Sequence, residues 1–243
     1  MNILKNRKKG IPKMSKSKLQ LPQLRKRLID NRIDFLARYS ESLERMLQKQ
    51  TKLFGETHDN RARLLPEDER NEFLENFAEE YQELASHFPS QVRYGVVIAA
   101  YGLLENEFLS AAKKVKASRK IALSVADLRG DPISRAWMFM TKVAEMPLPQ
   151  KLWDSIQPYR LLRNLIAHER GQLPDEPKRK DVKCLTDFIS RSSTLTIDSQ
   201  RTVVLSEAFA EEFLTKIRSF YAELYECWTE WLKIKPVPAT AKS

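Results

Sequence analysis

The nine residues from Val96 to Leu104 are all apolar or small, and they lie inside a longer stretch, about Gln91 to Lys116, that reads as one helix. A helix that is apolar on most sides has to be enclosed by other elements, so this one should sit at the centre of the core. Nine residues are too few to span a bilayer. The rest of the chain offers suitable neighbours. Only 6 of 243 residues are Gly, and Leu, Glu, Lys, Arg and Ala abound. Such a composition favours a mainly α protein. The length suits one domain, or one domain with appendages, and is enough for a sizeable core.

Apolar residues recur at helical spacing along most of the chain. Residues 1–20 read as a disordered basic arm. Pro22 can open a first long helix, and Gly55 to Leu65 reads as a polar loop, so 21–65 forms an N-terminal helix and loop. Pro66 with Glu67, Asp68 and Glu69 starts the next helix, since acids favour the positive end of the helix dipole. Its stripe is Phe73, Leu74, Phe77, Tyr81 and Leu84, and Pro89 and Ser90 should break it. Beyond the central helix, Asp127–Asp131 reads as a turn and Pro132–Met146 as a shorter helix. Pro149 to about Arg170 reads as a single long helix, ended by Gly171 and Pro174. A Pro- and charge-rich loop, Gln172–Lys180, leads to a helix over Val182–Ile189. A β-hairpin through Leu195–Ile197 and Thr202–Leu205 follows. Ser206 then looks like the N-cap of a last helix carrying Phe209, Phe213, Ile217, Phe220, Leu224, Trp228 and Trp231. The helical domain covers 66–235, and 236–243 reads as a disordered tail.

Ten cations and no acid fall in residues 1–27, which accounts for the entire formal charge of +10 and leaves residues 28–243 neutral overall. Such an arm is a solubilising tail, or it draws in a nucleic-acid backbone, an acidic protein or a membrane surface. It carries no aromatic residue for base stacking. Cys184, Cys227 and 3 scattered His have no metal-ligand spacing, so neither a metal nor a cofactor is expected. No apolar secretion segment follows the basic N-terminus. A soluble cytoplasmic protein is the expectation. Gly-rich phosphate loops, His-Glu-x-x-His and Gly-x-Ser-x-Gly are all missing from the sequence.

The chemistry concentrates in Arg163-Asn164-Leu165-Ile166-Ala167-His168. Arg brings a permanent charge and a rigid fork of donors. His gives or takes a proton near neutral pH. Asn164 and His168, four apart, share a helix face. Together the three can serve one reacting phosphate. Leu165 and Ile166 can turn into the core, and Ala167 lets another backbone come close. Glu105 falls near the apolar face of the central helix, where a carboxylate is costly unless paired. It either pairs with Arg163 or His168, or sits at the edge of the core, solvated or beside a structural Arg.

The Arg-Asn-x-x-Ala-His pattern on a late helix resembles the signature of the HEPN superfamily, small helical proteins that include many metal-independent endoribonucleases. The Tyr101-Gly102-Leu103-Leu104-Glu105 stretch and the hairpin before the last helix are similar to features of HEPN-like proteins, over about Glu67 to Leu232. The resemblance implies a HEPN-like helical bundle with a small β-hairpin before the C-terminal helix. It implies His168 as general base or acid, Arg163 on the scissile phosphate, Asn164 positioning the phosphate or the ring, and Glu105 orienting Arg163 or His168. Arg160, Arg170, Lys178, Arg179 and Lys180 would draw in RNA. It further implies a homodimer with the motif at the interface, and a toxin or anti-phage role held in check by an antitoxin or regulatory partner. Two other readings stay open: a non-catalytic RNA- or nucleotide-binding module, and a structural, partner-binding helical protein in which Arg163 pairs with Glu105 and His168 caps its helix.

Overall fold

The computed structural model describes residues 16–176 and 179–234. Most of the basic arm, Lys178 and the 236–243 tail lie outside the described residues. The fold is mainly helical, with one two-stranded antiparallel hairpin before the final helix. The helix α4 (Phe88–Arg119) is the centre, as its apolar run demands. It packs against α1 (Lys16–Ala62), α5 (Pro132–Met138), α7 (Gln157–Glu169) and α9 (Phe209–Lys233). Phe108, Leu104, Ala111 and Ala112 on α4 are fully buried. The aromatic stripe of α9 closes the core from the other side, with Phe220 edge-on to Phe108 at 5.4 Å between ring centroids.

Several boundaries differ from the sequence reading, and each difference has a local cause. Helix α1 begins ahead of Pro22 and passes through it, and Pro22 is buried within the bundle rather than marking an end. The expected loop over Gly55–Leu65 is helical as far as Ala62. His58 packs at a tilt against Phe77, 4.1 Å between ring centroids, and Phe54 lies near Phe77 and Tyr81. That aromatic packing outweighs the weak helix propensity of Gly55. The chain then forms α2 (Glu67–Glu75) and α3 (Ala78–Gln82). Pro89 does not break the chain. A wide turn over Glu83–His87, with the Phe88 N–H on the Glu83 carbonyl, runs directly into α4. The change of register takes up the donor that proline lacks.

The motif helix is two helices, α6 (Gln150–Asp154) and α7. Pro158 near the start of α7 has no N–H to bond back across the joint, so the helix restarts after Ile156, at Gln157. The hairpin pairs β1 (Leu195–Ile197) with β2 (Val203–Leu205) in the register Leu195–Leu205 and Ile197–Val203. Ser206 is not the cap of α9. Its N–H binds the Thr194 carbonyl at 2.8 Å as part of the hairpin end, and α9 starts at Phe209.

The buried carboxylate on α4 is Glu107, not Glu105. Glu107 accepts from Arg25 Nε at 2.8 Å and Arg25 Nη2 at 2.7 Å, and from the Tyr225 hydroxyl at 2.5 Å. Arg25 is therefore a clamp holding α1 to α4 and α9, not part of a free basic arm. A second clamp, Arg93 to the buried Glu44 at 2.7 and 2.9 Å, also reaches the Leu205 carbonyl and fixes α1, α4 and β2 together.

Candidate active site

Helix α7 ends in a tight cap that presents the motif at the surface. Arg170 adopts a left-handed conformation (φ 53°), Gly171 follows at φ 85°, and the Gly171 N–H returns to the Leu165 carbonyl at 3.2 Å. This is a common way to satisfy the last carbonyls of a helix. The segment after it is stitched to the hairpin: Val203 N–H to the Gly171 carbonyl at 2.9 Å, and Leu173 N–H to the Arg201 carbonyl at 2.9 Å. Tyr94 of α4 donates its hydroxyl to the Val203 carbonyl at 2.5 Å beneath that junction. At its other end, α7 is held by Tyr159, which stacks on Phe213 at 4.4 Å and donates to Glu212.

Asn164 and His168 line one wall of a cleft of about 230 Å³ between α7 and α8 (Lys180–Ser190). Leu161, Leu165 and Leu185 contribute its apolar walls, and Leu173, Pro174, Arg179 and Asp181 border it. The loop after the motif therefore borders this cleft. His168 is exposed. Arg163 faces elsewhere. Its guanidinium lies 5.2 Å from the Tyr101 ring centroid on α4, and its Nη1 donates to Asn164 Oδ1 at 2.9 Å. Its Nε is buried and meets no acceptor among the described residues. Asn164 is consequently the link between the two halves of the motif: it borders the cleft and holds the Arg163 head.

The other candidates distribute unevenly. Glu105 is half-buried and forms no hydrogen bond or ion pair with Arg163 or His168 among the described residues. Arg163 lies over Tyr101, a turn away from Glu105, so the expected pair is not made. Both nonetheless act on the Tyr101 phenol, whose pKa burial raises first and Glu105 second, with Arg163 opposing. Arg160 is engaged with Asp131 at 3.0 Å rather than free for RNA. Asp131 also caps α5 through the Ser134 N–H and hydroxyl. Burial works against the Asp131 carboxylate, but Ser134 and Arg160 outweigh it and hold its pKa below the ordinary value. Arg170 is exposed at the helix end. Arg179 forms a two-pronged pair with Asp181 at 2.8 and 2.7 Å, which lowers Asp181 to about 2. Lys180 is exposed at the start of α8.

Sequence reasoning missed the Glu107 clamp, the Asp131–Arg160 bridge and the Tyr94–Gly171 contact. Arg25 and Glu107 are 82 residues apart, and no local pattern links them. Gly171 is visible as a helix stop, yet nothing nearby announces Tyr94 beneath it. No family model, curated protein or solved structure matches this chain. Among the described residues, no helix is long and apolar enough to cross a membrane.

Proposed function

We propose that the protein is a metal-independent endoribonuclease of HEPN type, acting in the cytoplasm as a homodimer with α7 at its interface. The observation that carries this reading is that Asn164, which lines one cleft wall together with the exposed His168, accepts a hydrogen bond from the Arg163 guanidinium. RNA brings its own nucleophile. His168 takes the 2′-hydroxyl proton, and the 2′-oxygen attacks phosphorus. The 5′-oxygen leaves with a proton supplied by an acid, leaving 2′,3′-cyclic phosphate and 5′-hydroxyl ends. Arg163 stabilises the charge that grows on the phosphorane. For this it turns its free N–H groups from Tyr101 toward the phosphate, with Asn164 as its hinge. Arg170, Lys178 and Lys180 draw in the RNA backbone. A toxin or anti-phage role under a regulatory partner follows from the resemblance alone.

A second reading, a non-catalytic RNA- or nucleotide-binding module, is favoured by one observation: Arg163 rests on Tyr101 outside the cleft lining. Cleavage of mixed RNA in EDTA by the wild type, Arg163→Ala and His168→Ala separates the two. The enzyme reading expects cyclic-phosphate ends from the wild type alone. RNA left intact but bound by folded wild type supports the module. Cleavage undiminished in His168→Ala refutes the catalytic assignment.

A further inference from the structure

Helix α1 buries one face and leaves an ordered apolar stripe on the other. Leu24, Leu28, Phe35, Tyr39, Met46 and Leu53 are all exposed, Phe35 by 66%. At about 100° per residue they fall within about 60° of one another, on a line roughly 44 Å long. Beside the stripe, Leu28, Phe35 and Leu36 of α1 and Ala99 and Leu103 of α4 enclose a groove of about 440 Å³. A line of exposed apolar residues of this length, beside such a groove, marks an interaction site.

The exposed charges of α1 that flank it are mainly basic, and the nearest acids at the start of α9, Glu207 just ahead of it and Glu211 in its first turn, lie beyond the Arg38 and Arg45 margin. Arg27, Arg38, Arg45 and Lys49 border one margin, Arg32 lies on the other, and all are exposed. Five of the six acids of α1 are in ion pairs, and the sixth, Asp59, lies past Leu53 where the stripe ends. Asp30 and Asp34 bind Arg218, Glu44 binds Arg93, and Glu56 binds Lys52. Glu41 meets Arg45 at 3.2 Å, the one margin cation with an acid of its own on α1 among the described residues. Arg32 is 3.8 Å from Glu107, a carboxylate already held by Arg25 and Tyr225.

We propose that this face docks an acidic amphipathic helix of a partner protein. The stripe has a strict helical period and is mostly aliphatic, as helix-in-groove recognition requires, and its margins call for carboxylates. The chain's own termini do not fit, because residues 1–15 and 235–243 carry Lys and Arg and no acid. A second copy fits no better. Laid antiparallel it sets the Arg27–Arg38–Arg45 margin against itself, and laid parallel it sets that margin against Arg32. A bilayer surface is flat and would meet only the crest of the stripe, leaving the groove between α1 and α4 unfilled. RNA would leave the leucines and Met46 without apolar partners.

The test uses the full chain and a synthetic helical peptide with leucines at helical spacing and glutamates on both margins. A peptide with lysines for the glutamates, phosphatidylserine vesicles and poly(U) serve as alternatives, read by fluorescence anisotropy or co-sedimentation. The acidic peptide should bind, weaken with salt, and lose about tenfold or more in affinity with Phe35→Glu and with Arg38→Glu. The triple variant Arg27→Glu, Arg38→Glu, Arg45→Glu should switch preference to the lysine peptide. All four positions are exposed, so circular dichroism and melting should not change. No preference for the acidic peptide, or binding insensitive to Phe35→Glu, overturns the proposal. So does Phe35-dependent binding of vesicles or poly(U) in its place, or self-association that Phe35→Glu abolishes.

Discussion

Replacing Gly171 by Ala should be among the most damaging single-methyl changes in this protein. Two penalties act together. At φ 85° an L-residue meets its own carbonyl, at roughly 1–2 kcal/mol. The new Cβ would also stand 2.0 Å from the Tyr94 hydroxyl oxygen and 2.7 Å from its Cζ. Tyr94 cannot simply swing away, because its hydroxyl is held by the Val203 carbonyl, whose own N–H binds Gly171. Moving the ring leaves a buried hydroxyl and carbonyl unpaired, at about 1–3 kcal/mol. The sum is about 2–5 kcal/mol. Urea unfolding followed by far-ultraviolet circular dichroism measures it, as a lower midpoint with unchanged slope. Tyr94→Phe alone removes the closest atom, so the double variant should lose less than the two single losses added together. A loss below about 1 kcal/mol for Gly171→Ala, or strict additivity, would show that the junction between α7 and the hairpin is loose and the reasoning wrong.

Two further effects follow from buried polar groups. Glu107→Ala strands Arg25 and the Tyr225 hydroxyl inside the α1–α4–α9 junction, and breaking a buried pair in this way costs about 3–5 kcal/mol; denaturant midpoints equal to wild type would remove Glu107 from its clamp role. The Tyr94 phenol is pushed up to about 12, by burial first and Asp198 second. The folded state therefore holds this proton more tightly than the unfolded chain, whose phenols titrate near 10.0. The linked stability is fully present below about pH 10 and is lost as pH climbs toward about 12. Stability against alkaline pH should fall less steeply in Tyr94→Phe than in wild type, and identical slopes would contradict the linkage.

What can be read along the chain is whatever has a short period or a short range. The central helix, the hairpin strands and the aromatic stripe of α9 are of this kind, since apolar spacing of about 2 or 3.6 residues reports directly on which face is buried. The motif on α7 is equally visible, and so is its stop at Gly171. Prolines mislead in both directions. Pro89 is absorbed by a widened turn and Pro22 by burial, while Pro158 splits a helix that looks continuous in sequence. A proline removes one donor, and whether the chain breaks there depends on what packs around it.

The amino-acid sequence alone determined that this is a mainly helical protein built around α4, with an Arg, an Asn and a His clustered on one late helix. Tertiary structure alone decided which carboxylate is buried, and that Glu105 stays apart while Glu107 binds Arg25. It also decided that Arg160 serves Asp131, that Asn164 turns to both Arg163 and the cleft, and that α1 keeps an apolar face open. The reason is physical. Periodicity places a side chain on a face, but its partner comes from another element, often far away along the chain, and only packing chooses which faces meet.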